Sequence, residues 1–379
     1  MFHKISASFA LFFLISLFSC KAEPEKVVNK IAERNAIIDS TITVFQKQLL
    51  KSQIDSVFAK TNFNGSVSVH QNGKILYEKI NGFEDFKEKK SLDSNSVFAI
   101  ASLSKQFTAV LILLQEESGK LNTDDFASKY LKEFEPKQFE KITIKELLNH
   151  TSGIRDFADG MHSKPGEEFN YSNKGFYYLG KIIEKVSGKS YDENVSELFK
   201  KIGMNHSFTA NNFDGKHFAS AYLGTAKNFS EVPNMPERLS ARAISVPAGG
   251  ILSTLNDLHR WNSALYNRKI IKPELLKKFV DKSAEREHAI LGKMGYGFGI
   301  MTNFAKPTAY FHTGYVKGAP SLIIYYPESK TSVVILSNIA DESRGKSAVF
   351  IPHKRIKEIT DSLENATLSV RMNLQKSAL

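Results

Sequence analysis

The chain is almost without cysteine: of 379 residues only Cys20 is one, so no disulfide can close within it. Its 10 histidines include no His-Glu-x-x-His pair, and with no second cysteine the common zinc-site spacings are excluded. No glycine-rich phosphate loop follows a strand pattern, so neither a metal nor any other cofactor is expected. No apolar run is long enough to cross a bilayer, and no internal repeat or low-complexity tract stands out. The charge is basic, with 51 Lys and Arg against 40 Asp and Glu for a net +11. The signs mix, however, as in Lys87-Glu88-Lys89-Lys90, and no basic stretch is interleaved with aromatics. A nucleic-acid partner is therefore not expected. A solvated basic surface, suited to anionic envelope polymers or lipids, is the modest inference. The rest is ordinary for a folded domain: 42% hydrophobic and 24% charged residues leave ample material for a core.

His3 and Lys4 precede an apolar stretch from Phe9 to Phe18, broken only by Ser16, which has the form of a signal-peptide core. It runs into Leu17-Phe18-Ser19-Cys20, which resembles the lipobox of bacterial lipoproteins. The resemblance implies removal of residues 1–19, lipidation of Cys20, and a lipid anchor holding the protein on a bacterial envelope membrane, on its periplasmic or surface side. The other reading is an ordinary secretory signal beside an incidental cysteine. Residues 20–36 are polar and charged and read as a tether.

A helix is expected from Ile37 towards Ala59. Two alternating stretches, Gly65 to His70 and Ile75 to Ile80, flank Asn72-Gly73, a strong short-range hairpin signal. The middle of the chain, about 102–290, is rich in helical pattern, with helices expected at Ile144 to Asn149, Gly175 to Ser187, Tyr191 to Ile202 and Thr254 to Tyr266. Strand signals return at Tyr296 to Met301, Ser321 to Tyr326 and Ser332 to Leu336. A helix from about Ile356 to Leu363 closes the fold domain (37–364), and residues 365–379 carry no clear signal. Strands at both ends and helices between predict an α+β fold of two lobes: an antiparallel sheet built from both chain ends, and a mostly helical central lobe. A cleft is expected where the lobes meet.

The chemistry concentrates in three short elements. In the first, Ser102-Leu103-Ser104-Lys105, a serine and a lysine three apart share one face of a helical turn. An amine beside a hydroxyl is one way to activate a poor nucleophile. Ser343-Arg344-Gly345-Lys346 has the same spacing, but only Ser102 precedes a buried-helix rhythm (Phe107, Val110, Leu111, Leu114) with Gly119 as a plausible stop. The second, Tyr171-Ser172-Asn173, offers a phenol able to relay a proton beside a cation and an amide able to orient a substrate; alone it reads as a polar loop capping the next helix. The third, His312-Thr313-Gly314, offers two polar groups and a glycine permitting close backbone approach; alone it reads as a turn between strands.

In this order the three elements resemble those of the class C β-lactamase and DD-peptidase family of serine hydrolases, in whose relatives Ser-x-x-Lys is a signature. Glu146-Leu147-Leu148-Asn149-His150-Thr151-Ser152-Gly153-Ile154, Leu179 to Glu184, Ile202-Gly203-Met204, Pro247-Ala248-Gly249-Gly250 and Tyr296-Gly297-Phe298-Gly299 resemble further family segments, so the likeness runs from about residue 45 to 340. It implies a β-lactamase/transpeptidase-like fold and an acyl-enzyme mechanism. Ser102 would be the nucleophile, and Lys105 and Tyr171 would share its proton transfers. The backbone N–H groups of Ser102 and Tyr315 would form the oxyanion hole. Asn173 would orient the substrate, and His312, Thr313 and Gly314 would line the site towards a substrate carboxylate or leaving group. Class C β-lactamases usually carry lysine where His312 stands; histidine, mostly neutral near pH 7, resembles DD-peptidases, esterases and D-aminopeptidases of the family. The resemblance implies an envelope enzyme cleaving peptide, amide or ester bonds of small-molecule, peptide or peptidoglycan-derived substrates. The alternatives are a true β-lactamase and a non-catalytic envelope-binding relative.

Overall fold

The computed structural model describes residues 24–61, 63–239, 244–345 and 347–376; Cys20 and the expected signal segment lie outside them. Strands β1 (Gly65–Gln71) and β2 (Lys74–Asn81) form the expected hairpin. Asn72 and Gly73 close it with φ of 50° and 76°, the left-handed pair that a tight two-residue hairpin turn demands. Six late strands join them: β3 (Ala284–His288), β4 (Gly292–Tyr296), β5 (Met301–Asn303), β6 (Ala309–Val316), β7 (Ala319–Tyr326) and β8 (Thr331–Ser337). All pair antiparallel in one 8-stranded sheet of order β3-β4-β5-β6-β7-β8-β1-β2, so the two ends of the chain share it.

The sheet is covered on both faces, which is why β7 and β8 read as unbroken apolar runs rather than alternating ones. Val67, Val69, Leu322, Ile324, Val333 and Ile335 pack on one side against Leu50, Ile54 and Phe58 of helix α1 (Pro24–Thr61) and Ile356 and Leu363 of the C-terminal helix. Ile323, Val334 and Leu336 pack on the other side with the central lobe. That lobe contains α2 (Ser104–Glu117), α3 (Ile144–Leu148), α4 (Asn173–Ser187), α5 (Tyr191–Ile202), α6 (Val246–Gly249), α7 (Leu255–Tyr266) and α8 (Pro273–Val280); the C-terminal helix is α9 (Ile351–Lys376). Every residue of α2 from Ser104 to Leu113 is buried. Trp261 of α7 lies 4.0 Å from the Phe107 ring of α2, and each fully buried side chain of this size contributes about 1.5–3 kcal/mol.

Four local expectations are corrected. The tether is helical from Pro24, a residue suited to the first helical position. The C-terminal segment is helical through Lys376: Thr367 is buried, and Arg371 reaches back to Gln71 Oε1 at 3.3 Å and to Asp39 of α1 at 3.6 Å. The segment from Tyr296 to Met301 is not one strand: Tyr296 ends β4, Met301 begins β5, and residues 297–300 between them form a tight turn closed by Gly297 N–H donating to Ile300 C=O at 2.8 Å, with Gly299 at φ +66°. Its aromatic–glycine alternation mimics a strand because Phe298 and Ile300 are buried. The sheet resumes at Ala284, so the helical lobe stops short of residue 290.

Candidate active site

Ser102 sits in a single 3-10 turn, Ala101–Leu103, that leads into α2. Ala101 has φ +50°, a left-handed conformation costing an L-residue about 1–2 kcal/mol. The surroundings hold it there: Ile100 N–H donates to Ile251 C=O at 3.2 Å, Ser321 Oγ donates to Ile100 C=O at 2.9 Å, and Ile251 N–H donates to Ser104 Oγ at 3.0 Å. Strand β6 presses against the same turn. A Cβ on Gly314 would lie 2.3 Å from Ile100 O and 2.4 Å from Ser321 Oγ, so only glycine lets the strand, and with it the Tyr315 backbone, come alongside Ser102. Strand β5 pairs with β6 only at Ala309–Phe311; from His312 to Val316, β6 is paired with β7 on one edge, and among the described residues no strand borders its other edge. The Tyr315 phenol is tied to Glu342 at 2.5 Å.

Lys105 is completely buried one turn on. Its Nζ donates to Asn173 Oδ1 at 2.7 Å, Ala248 C=O at 2.7 Å and Ser102 Oγ at 3.2 Å. The first two partners cannot donate. Asn173 is held in that orientation because its Nδ2 donates to Asp156 Oδ2 at 3.3 Å, and Ala248 is fixed by Thr108 Oγ1, which donates to the adjacent Pro247 C=O at 2.7 Å. A neutral amine has two N–H groups and one lone pair. With both N–H groups committed to Asn173 and Ala248, its lone pair is left for the Ser102 hydroxyl. Burial pushes the Lys105 pKa below the ordinary lysine value; Tyr171 and Asp156 oppose that, and the Arg286 charge adds to it.

Ser172 caps α4, its Oγ accepting from Gly175 N–H at 3.0 Å. The cap and the site are thus the same three residues: Asn173 reaches Lys105 from the first turn, and Tyr171 precedes the cap. The Tyr171 ring has Lys105 Nζ 4.8 Å and Arg286 Cζ 4.6 Å from its centroid. Its hydroxyl is buried without a partner in good hydrogen-bond geometry, yet it lies near enough to the Lys105 amine to raise the lysine pKa. A buried hydroxyl left open in this way is uncommon in a native fold.

His312 departs from expectation. Its side chain is fully buried beside Tyr171, at 6.4 Å between ring centroids, with both nitrogens occupied. Nδ1 donates to Thr313 C=O at 2.6 Å, and Nε2 accepts from Tyr296 Oη at 2.9 Å. Tyr296 in turn receives the Nε2 hydrogen of His150 at 3.1 Å, because His150 Nδ1 already accepts from Ser172 N–H at 3.1 Å. The one-way partners, Ser172 N–H on His150 and Thr313 C=O on His312, put the hydrogen of His150 on Nε2 and one hydrogen of His312 on Nδ1; with the His312 ring neutral, the Tyr296 hydroxyl completes the chain by donating to its Nε2. Burial holds both pKa values well below the usual histidine range, aided by the charges of Lys105 and Arg286. The strand pleat sends Thr313 to the opposite face, where its Oγ1 meets His288 Nε2 at 3.2 Å. His288 Nδ1 accepts from Ile290 and Leu291 N–H, so His288 donates to Thr313. Burial, with the Arg286 charge, lowers the His288 pKa to about 4.

Sequence reasoning missed Asp156, His150, Tyr296 and Arg286. Asp156 accepts from Ser172 Oγ at 3.0 Å and Lys174 N–H at 2.7 Å, anchoring both the cap and Asn173. His150 and Tyr296 lie within segments that carry the family resemblance, which is the one signal that could have flagged them; Asp156 and Arg286 stand in no motif. A cavity of about 410 Å³ adjoins Asn173, walled by Asp156, Phe157, Tyr177, Ser245 and Pro247. Among the described residues one set of metal-type ligands gathers, Glu84, Asp93 and His217; Glu84 there is already paired with Lys90 at 2.5 Å and bonded by Ser96 at 3.0 Å.

The Beta-lactamase family model matches residues 54–351. The chain is 28% identical to penicillin-binding protein 4* of Bacillus subtilis over 341 residues, covering 80% of this chain and 74% of that one. It is similar in structure to the octameric penicillin-binding protein homologue of Pyrococcus abyssi, with 27% identity and a TM-score of 0.66 over 79% of this chain and 75% of that one. It is also similar to FmtA of Staphylococcus aureus, with 25% identity and a TM-score of 0.68 over 83% and 89% of the two chains. The family model spans well over half of the residues, from the first helix through the sheet that frames Ser102, and this chain belongs to the beta-lactamase family.

Proposed function

We propose that the protein is a serine acyl hydrolase of the class C β-lactamase and DD-peptidase branch, forming a covalent acyl-enzyme on Ser102. The observation that carries this reading is the commitment of the Lys105 amine. In the neutral amine the two N–H groups stay with Asn173 and Ala248, which leaves the lone pair for the hydroxyl 3.2 Å away. Lys105 takes the Ser102 proton as Oγ attacks the substrate carbonyl. The oxyanion is received by the Ser102 and Tyr315 backbone N–H groups, each such donor contributing about 3–4 kcal/mol. As the carbon–leaving-group bond breaks, the proton passes to the leaving atom by way of the open Tyr171 hydroxyl. Water then attacks the acyl-enzyme with the same groups working in reverse, releasing the acid and restoring Ser102. Asn173 orients the substrate amide next to the adjoining cavity.

The substrates are peptide, amide or ester compounds of the bacterial envelope, reached from a lipid anchor on Cys20. Efficient β-lactam hydrolysis is disfavoured, because the position held by lysine in class C enzymes carries a histidine whose two nitrogens are spent within the fold. The test is parallel turnover of nitrocefin, a D-Ala-D-Ala peptide, a D-amino-acid amide and a p-nitrophenyl ester, with Ser102→Ala as control. Ester or peptide turnover above that of nitrocefin is expected, and the reverse order assigns the protein to β-lactam hydrolysis. Failure of penicillins, activated esters and fluorophosphonates alike to label Ser102 leaves the non-catalytic relative as the reading.

A further inference from the structure

A polar cavity that no motif announces lies beneath α7. It holds about 220 Å³ and is walled by His70 of β1, His259 of α7, Asn267, Tyr325 of β7 and, from the two turns at that end of the sheet, Asn72 and Lys330. Strand β7 runs from Ser321, beside the Ser102 turn, to Tyr325 on this wall. The cavity therefore stands about 13 Å along the sheet from the reaction centre. The two imidazoles stack face to face, 3.6 Å between centroids and 6° from parallel. Ser332 serves both: it pairs with His70 across the ladder, and its Oγ meets His259 Nδ1 at 2.8 Å. Asn262 Nδ2 already donates to that Oγ at 2.8 Å, so the serine hydrogen is available to His259 Nδ1 and the imidazole hydrogen stands on Nε2. Nε2 of each ring is buried without a partner. Imidazoles that share one metal ion converge their in-plane lone pairs on it, whereas these lie in parallel planes that never meet. No carboxylate lines the cavity to complete a cation site.

The lining suits an anion instead. Lys330 makes no ion pair among the described residues, and the two asparagines add amide donors. The acid nearest it in sequence, Glu328, lines a different cavity with Arg371. On α7, Asp257 is turned to Ser207 and Arg260. Besides Lys330, the ionisable group facing the two rings is the Tyr325 phenol, whose pKa burial pushes up to about 12. We propose that this cavity binds a tetrahedral oxyanion, a phosphate or phosphate ester, between Lys330 and the His70–His259 pair. Charge draws the anion in, and donors from several directions suit four oxygens better than one flat carboxylate. Burial lowers the His70 pKa, and lowers that of His259 further with the His70 charge adding to the effect. A bound anion opposes this by favouring a protonated ring, so binding takes up a proton and tightens as the pH falls.

The experiment is calorimetry on the full chain with sulfate, whose charge is constant between pH 8 and pH 6. Inorganic phosphate, glycerol 3-phosphate and a short-chain phosphatidylglycerol follow, to separate a free phosphate from a lipid headgroup. Millimolar or tighter sulfate binding that strengthens as the pH is lowered is expected. Lys330→Asn, a residue suited to the left-handed φ of 54° at that position, weakens it about tenfold or more, the worth of a charge-assisted bond. His70→Gln removes the pH dependence, and Lys74→Gln, a surface lysine of β2 outside the cavity, leaves binding unchanged. Should His70→Gln not fold, nitrogen-15 spectra of the wild type decide: the His70 and His259 rings respond to sulfate. Binding of the free phosphates or of the lipid alike supports the site and names its source. No binding of any of these anions, binding indifferent to pH or to Lys330→Asn, or equal weakening by Lys74→Gln overturns the proposal. So do histidine rings that respond to Zn²⁺ and not to anions.

Discussion

Replacing Tyr296 with phenylalanine removes one hydroxyl and leaves two ring nitrogens stranded. Tyr296 is fully buried, donating to His312 at 2.9 Å and accepting from His150 at 3.1 Å. The phenyl ring keeps its packing, so the cost is almost wholly polar. His150 is left with a buried N–H and His312 with a buried lone pair, each orphan costing about 1–3 kcal/mol, for a total of roughly 2–6 kcal/mol. The loss is measured by urea unfolding at pH 8, where both rings are neutral in the folded and unfolded chain. Nitrogen-15 histidine spectra of the wild type provide an independent check: two neutral rings of opposite tautomer, His150 carrying hydrogen on Nε2 and His312 on Nδ1. A destabilisation below about 1 kcal/mol, or two rings of the same tautomer, refutes the ordered chain and the argument that His312 is unavailable to substrate.

Gly314→Ala forces a Cβ to within 2.3 Å of Ile100 O, so β6 must retreat from the Ser102 turn. We expect a loss of about 1–3 kcal/mol in stability and a fall in kcat of roughly a hundredfold or more, as for a lost oxyanion donor; an unchanged kcat on an aryl ester contradicts the placement of β6. His150, His312 and His353 are buried with folded pKa values below the unfolded value. Below about pH 6.5 the unfolded chain therefore binds more protons, and stability falls as pH drops, by up to about 1.4 kcal/mol per pH unit for each group until its folded pKa is reached. Urea midpoints from pH 8 to pH 5 that fail to decline refute this. The rate of Ser102 acylation should rise with pH through one ionisation below the ordinary lysine value of about 10.4, because burial favours the free amine. Arg286→Gln should shift that limb upward, and an unmoved limb means that the guanidinium does not act on Lys105.

Local chemistry was legible in the sequence, and long-range convergence was not. The β1–β2 hairpin follows from Asn72-Gly73 alone, since that dipeptide accepts left-handed φ at both positions. Helix α5 begins where Ser190 and Glu193 form a reciprocal capping box. Tyr171-Ser172-Asn173 read as a helix cap when taken alone, and the cap is there, with a second contact beside it: Ser172 turns its hydroxyl to the helix while Asn173 turns its amide to Lys105. The misreadings have physical causes. In Tyr296 to Met301, buried Phe298 and Ile300 imitate strand alternation, while Gly299 is a contact residue whose Cβ would stand 2.7 Å from Lys105 O. His312 was given a substrate-facing role by the family resemblance, and no sequence signal announces that its nitrogens are taken by Tyr296 and the Thr313 carbonyl. Asp156 and Arg286 act on residues 17 and 115 positions away, Asn173 and Tyr171, separations at which no sequence period speaks.

The account depends on Ser102 as the atom that receives the acyl group. Intact-mass and peptide mass spectrometry of the protein quenched during turnover of an activated aryl ester tests this directly. A single acyl adduct on the peptide containing Ser102 is expected, absent in Ser102→Ala and slow to form in Lys105→Met. Ester turnover with no adduct on Ser102, or an adduct carried by another residue, contradicts the account.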